Sequence, residues 1–415
     1  MTRRPSRGHA VYAVSLSLCL VVLTAGCGGP AGTKTAATTS TLPATSSTPA
    51  TKTVPATTTP RPPAKPAKND RGVPMAGALQ PASAGAYIGA FTPPGPWDWS
   101  ALQTYQENSR KPLAVVMWYQ AWAKNAQHEF DPATCVSAFQ HGIVPLITWE
   151  PWDPGRDPNY LTDPARQPKY RLARIIDGTY DPYIRSWARG IRSVAGPVML
   201  RPMHEMNAYW YPWAGTVNGN KPAEYVKAWR HIHDIFVKEG ATNVTWVWSI
   251  NGNTRPDIPS NQYAQYYPGD EYVDWTATNG FNWGKSAKGM TWVTFEETSK
   301  RPLTYLKTLT KPVLLVEFAS VEKGGSKASW ITESYARVKA YHPEVRAVLY
   351  YDHLERDQTS FQDWQIGSSK ASRAAYKAAV GSSYFVGGPA DTLANWSARL
   401  SRKDWEYLRS LPPVY

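Results

Sequence analysis

The chain has 415 residues, of which 42% are hydrophobic, and a formal net charge of +13. That length suits one large domain with extras or two smaller ones, and the apolar content suffices for a full core. Residues 1–71 hold nine Lys/Arg and one acid and so carry most of the charge; the remaining basic residues form no stripe, which excludes nucleic acid as a partner.

Arg3, Arg4 and Arg7 precede an apolar stretch from Ala10 to Leu23. The stretch is shorter than a membrane span and reads as an export signal over residues 1–26. "LTAGC", Leu23–Cys27, resembles a bacterial lipobox, in which Cys27 becomes the lipidated first residue. The protein is therefore expected to be exported. It would sit lipid-anchored on the outer face of the cell membrane, or be secreted if Cys27 is incidental. Only Cys135 remains in the body, so no intrachain disulfide is expected there. Residues 27–80 are rich in Thr, Pro and Ala with few large apolar side chains, and are expected to be a disordered spacer.

From about residue 81 to 380 the texture changes. Eight apolar runs recur: "AYIGAF" (86–91), "LAVVMWY" (113–119), "IVPLITW" (143–149), "PVMLRPM" (197–203), "VTWVWSI" (244–250), "YVDWTAT" (272–278), "PVLLVEF" (312–318) and "VRAVLYY" (345–351). They are continuous rather than alternating, as strands covered on both faces should be. Helix-like segments fill most intervals. In the clearest, residues 222–238, Tyr225, Trp229, Ile232 and Phe236 form one stripe and Gly240 lies just past the end. This alternation predicts an α/β fold, a (β/α)8 TIM barrel. A doubly wound open sheet is the alternative, but no phosphate-binding glycine fingerprint supports it. Residues 381–415 are expected to be a helical extension packed on the barrel.

In such a barrel the C-terminal strand ends form the functional face. Here they carry Trp118, Tyr119 and Gln120; Trp149 and Glu150; Arg201, His204 and Glu205; Asn251; Asn279, Phe281 and Trp283; Glu317; and Tyr350 and Tyr351. Carboxylates on the fourth and seventh strands face each other across a barrel mouth. Glycoside hydrolysis needs such a pair, one to protonate the leaving oxygen and one to attack or to activate water. Aromatic rings stack on the apolar faces of sugars. A purely structural Glu317 bridged to a Lys is disfavoured, because an unpaired carboxylate at the top of a buried strand is costly. His231 and His233 lie on the helix and serve packing or solvent; no metal-ligand spacing is visible, and no cofactor is expected.

The segments "LRPMHEMNAYWYPW", "YVKAWRHIHDIFVKEGATNVTWVWSIN", "YYPGDEYVDW" and "KPVLLVEFAS" resemble glycoside hydrolase family 26, which contains mainly β-mannanases. The resemblance covers about residues 86–367. It implies a retaining double displacement with Glu205 as acid/base and Glu317 as nucleophile. It places His204 and Trp210 against the sugar and Arg201 near the nucleophile. Trp149, Glu150, Phe281, Trp283 and Tyr350 complete the expected substrate-binding rim. In this family a Tyr after the sixth strand usually bonds the nucleophile, but Phe281 stands in that place, and Asn279 replaces a frequent Asp. The nucleophile is thus expected to lack one donor.

The expected function is a retaining endo-β-glycosidase acting on mannan. Alternatives are the same barrel acting on β-glucan, xylan or an envelope polysaccharide, and a non-catalytic carbohydrate-binding lipoprotein. The expected partners are a polysaccharide substrate and, through the lipid anchor alone, a membrane; the protein is expected to be a monomer.

Overall fold

All eight apolar runs form parallel strands. The computed structural model describes residues 67–123, 128–154, 165–356 and 361–412. The expected export signal, Cys27 and the spacer up to residue 66 lie outside the described residues. In chain order, β1 (Ala86–Phe91) leads to α1 (Trp99–Ser109), β2 (Val115–Ala121) to α2 (Pro132–Gln140), and β3 (Val144–Glu150) to α3 (Leu172–Ile176) and α4 (Asp181–Val194). Then come β4 (Val198–Pro202), α5 (Pro222–Lys238) and β5 (Val244–Ile250). Three short 3-10 turns, with no α-helix, connect β5 to β6 (Trp275–Asn282). After that follow α6 (Phe295–Leu306), β7 (Val313–Ser320), α7 (Lys327–Tyr341) and β8 (Val345–Tyr351). Each strand pairs with its successor, and β8 pairs back onto β1 from Tyr87↔Ala347 to Phe91↔Tyr351, which closes the barrel. Closure removes both sheet edges.

Local chemistry sets the element ends. Pro222 opens α5, where its missing N–H costs nothing, and the Glu224 carboxylate accepts from Lys221 N at 2.7 Å. Gly240 follows α5 with φ 72°, a conformation that glycine adopts without strain. His231 bonds Asp181 at 2.6 Å and His233 packs against Trp246 and Tyr272, both as expected of helix-surface histidines. Cys135 is buried and free.

The spacer ends earlier than expected. Val73, Met75 and Leu79 are buried in the core cluster, so the segment from residue 67 belongs to the folded body rather than to a disordered linker running to 80. Leu79 N donates to Thr245 Oγ1 at 2.6 Å, Trp275 Nε1 donates to Leu79 O at 2.8 Å, and Ala76 N donates to Ala195 O at 2.7 Å. These partners lie at the N-terminal strand ends, so the segment caps the barrel base. Composition hid this because a few large apolar residues, each spaced to meet the base, suffice to anchor an extended strap.

Beyond β8, a hairpin of β9 (Leu354–Arg356) and β10 (Phe361–Asp363) leads to α8 (Lys370–Val380). The tail, β11 (Phe385–Val386), α9 (Asp391–Ser397) and α10 (Arg402–Arg409), is packed on the barrel. β11 pairs with β1, and Trp396 packs edge-on against Phe139 of α2 with centroids 5.1 Å apart.

Candidate active site

Side chains alternate along each strand, and that alternation decides which of the expected residues reach the mouth. On β3, Thr148 and Glu150 face inward; Thr148 Oγ1 accepts from Arg201 Nε at 2.9 Å. Trp149, between them, faces outward. It is fully buried against Tyr183 and Trp187 of α4, and its Nε1 donates to the Tyr183 hydroxyl at 3.2 Å. Tyr350 likewise leaves the mouth and packs against Tyr376 of α8 at 5.2 Å, while its neighbour Tyr351 turns inward onto Phe91. Trp149 and Tyr350 are therefore core residues of the strand–helix layer, not substrate contacts. Both top their strands, but with the wrong parity.

Glu205 and Glu317 are both almost fully buried at the C-terminal rim of the barrel, and both have φ of 54°. Two non-glycine residues in this sparsely populated region mark locally strained backbone, of the kind found at functional sites. At Glu317 the cause is visible: the pairing of β7 with β8 shifts register between Leu315 and Phe318. Such a bulge re-aims a side chain, here into the mouth.

The two carboxyls sit in unlike settings. Arg201, buried in the barrel, grips Glu317 with both guanidinium ends, at 2.9 Å to Oε1 and 3.3 Å to Oε2. The hydroxyl of Tyr119 on β2 also donates to Oε1. The expectation that Phe281 costs this carboxylate a phenol donor is thus corrected: the donor arrives from another strand. Phe281 instead packs against Tyr351 and Trp364, with Trp283 alongside, as a partly exposed aromatic wall.

Among the described residues, no guanidinium contacts Glu205 directly. Trp210 Nε1 donates to its Oε2 at 2.8 Å, and the Asn279 amide donates to Oε1. Asn279 Oδ1 accepts from Gly252 N at 2.9 Å, which fixes the orientation of the amide. Burial first, and then the charge of Glu317, push the Glu205 carboxyl up to about 7; the bond from Trp210 opposes the rise without cancelling it.

Glu150 and His204 lie beside this pair. Glu150 is buried, accepts from Trp152 Nε1 at 3.2 Å, and is pushed up to about 8, mainly by burial. His204 Nδ1 stands 3.8 Å from Glu150 Oε1, too far for a hydrogen bond. Burial and the Arg201 charge hold His204 neutral, and neither ring nitrogen has a hydrogen-bond partner among the described residues. Buried orphaned polar atoms are rare in folded proteins; the His204 ring lies 6.1 Å from that of Tyr119 and 4.8 Å from that of Tyr211.

Sequence reasoning missed two residues that bond the paired carboxyls. Tyr119 was visible as a strand-end residue, and its parity, two residues from the end of β2, was the available signal. Asn279 was noted only as a replacement; its contact with Glu205 needed the third dimension.

Residues 161–292 match the model of glycosyl hydrolase family 26. The chain is 35% identical over 305 residues to Endoglucanase H of Acetivibrio thermocellus, covering 72% of this chain and 31% of that protein. It is 24% identical over 153 residues to a mannan endo-1,4-beta-mannosidase of Bacillus subtilis, covering 34% of this chain and 40% of that one. The chain thus spans well under half the length of each of these relatives. Its fold is similar to a GH26 beta-mannanase structure from Bacteroides ovatus, with a TM-score of 0.54, 15% identity, and coverage of 74% of this chain and 92% of that one. A closed (β/α)8 barrel and these sequence matches together make the chain similar to glycosyl hydrolase family 26.

Proposed function

We propose that this protein is a retaining endo-β-glycosidase that hydrolyses a β-linked polysaccharide, mannan first among candidates. One observation carries the reading: two buried glutamates share a rim, one ion-paired with Arg201 and the other with its carboxyl pushed up to about 7. The first is equipped to attack as an anion, and the second to hold a proton near neutral pH. In the first step Glu317 bonds the anomeric carbon while Glu205 protonates the departing oxygen. In the second, ionised Glu205 takes a proton from water, and the water displaces Glu317. The aromatic wall of Phe281 and Trp283 and the Trp210 indole supply flat surfaces for sugar rings. The non-catalytic alternative drew on a missing phenol at Phe281, and the Tyr119 hydroxyl removes that ground.

β-Glucan is a second reading, favoured by the 305-residue match to a protein named an endoglucanase. Export and lipid anchoring at Cys27 remain part of the proposal, supported by the "LTAGC" motif and the spacer composition.

The test uses mannan, β-glucan and xylan with the wild type, Glu317→Ala and Glu205→Ala. Glu317→Ala should be inert on all substrates. Glu205→Ala should fail on polysaccharide but still be glycosylated by an activated aryl glycoside, and azide should restore its turnover as a β-glycosyl azide. Proton NMR should show the β-anomer as the first product. An α-anomer appearing first refutes retention, and undiminished activity in Glu317→Ala refutes the site.

A further inference from the structure

The two oxygens of Glu317 are bonded unequally. Oε1 accepts from both the Tyr119 hydroxyl and Arg201 Nη2, the latter at 2.9 Å. Among the described residues, Oε2 accepts only the longer 3.3 Å contact from Arg201 Nη1. An oxygen whose lone pairs already serve two donors is a poor nucleophile, whereas one with a single weak donor keeps a lone pair free. A second phenol also lies near this carboxyl, on Tyr351, but its hydroxyl is turned away and donates to Glu355 Oε1 at 2.7 Å. Tyr119 is held in place by Phe91, edge-on at 5.2 Å, and by the Arg201 guanidinium 5.9 Å from its ring centroid. Burial and the Glu317 charge push the Tyr119 phenol well above its ordinary value, so it remains a donor throughout the working pH range.

We propose that Tyr119 is a further catalytic residue, which selects Oε2 as the attacking atom and serves Oε1 as the carbonyl oxygen of the glycosyl-enzyme ester. The proposal rests on the glycosidase reading above. In the first step an Oε2 lone pair forms the bond to the anomeric carbon. The bond from that carbon to the leaving oxygen breaks, and the leaving oxygen takes the Glu205 proton. In the second step water adds to the anomeric carbon as Glu205 accepts its proton. The carbon–Oε2 bond breaks in the same displacement, and its electron pair returns to Glu317. Negative charge regrows across the carboxylate in this step, so a donor on Oε1 improves Glu317 as a leaving group. Removing that donor should therefore slow the second step more than the first.

The experiment compares wild type, Tyr119→Phe and Tyr351→Phe on 2,4-dinitrophenyl β-mannobioside and β-cellobioside. These activated substrates need little acid help in the first step. For Tyr119→Phe, kcat should fall about tenfold to a hundredfold, the range for a hydrogen bond to a charged group. KM should fall with it, so that kcat/KM changes far less and a burst of dinitrophenol precedes the steady state. Tyr351→Phe should show no burst. A Tyr119→Phe enzyme whose kcat and kcat/KM fall equally, or that is unchanged, overturns the proposal. A second readout needs no turnover. In protein labelled with 13C at glutamate carboxyls, the resonance lost in Glu317→Gln identifies Glu317. It should move in Tyr119→Phe and stay in Tyr351→Phe; a Glu317 resonance unmoved in Tyr119→Phe overturns the contact. Wild type inert on both glycosides and all polysaccharides, with the Glu317 resonance responding to Tyr119→Phe, would instead defeat the glycosidase reading and the catalytic role with it, leaving the Tyr119–Glu317 contact standing.

Discussion

Glu150 offers a measurement that needs no substrate. Its carboxyl, buried between Trp152 and His204, is pushed from 4.5 up to about 8. A carboxyl raised in the folded state stabilises the fold in its protonated form. That contribution is fully present below about pH 4.5 and is lost as pH rises through about 8. Between pH 5 and pH 8.5 the loss comes to about 4 kcal/mol. Glu150→Gln keeps the volume and the acceptor for Trp152 Nε1 but cannot ionise. Unfolding entropy near 2.1 cal/mol/K per residue gives about 0.7 kcal/mol/K for a body of roughly 350 residues. The variant's Tm relative to wild type should therefore rise by about 5 °C between pH 5 and pH 8.5. Differential scanning fluorimetry of both proteins at the two pH values reads this directly. A Tm difference that is the same at both would refute the claim that Glu150 is held neutral by burial.

Other outcomes follow from the same contacts. Trp210→Phe removes a donor to the ionised form of Glu205, whose carboxyl already stands at about 7, so the basic limb of the kcat/KM profile should move to higher pH by up to about one unit. A chain starting at residue 81 loses the buried Val73, Met75 and Leu79, at a cost on the order of 5 kcal/mol; its Tm should fall clearly below that of a chain starting at residue 67. Cys27→Ser should abolish incorporation of a labelled fatty acid, and unchanged labelling would exclude the anchor at that residue.

The barrel was legible because its signals are local. Each strand is a short apolar run and each helix a stripe with a cap, and both are set by neighbours within a turn or a few residues. Glu205 and Glu317 were legible for a related reason: charge at the end of a buried strand is conspicuous in one dimension. Trp149 and Tyr350 misled because aromatics at strand ends look alike whichever face they occupy, and parity is fixed only when the sheet closes.

What the tertiary structure alone decided is which atoms meet across the mouth. Tyr119 and Glu317 lie 198 residues apart, and Arg201 and Glu317 lie 116 apart. No spacing rule connects such pairs. Their meeting depends on strand order, on the register around the closed barrel, and on the bulge that turns Glu317 inward. The sequence by itself settled that a carboxylate would top β7. It did not settle that its phenol donor would come from β2 while β6 carries Phe281, because either strand can reach the same point and only the closed barrel fixes which one does.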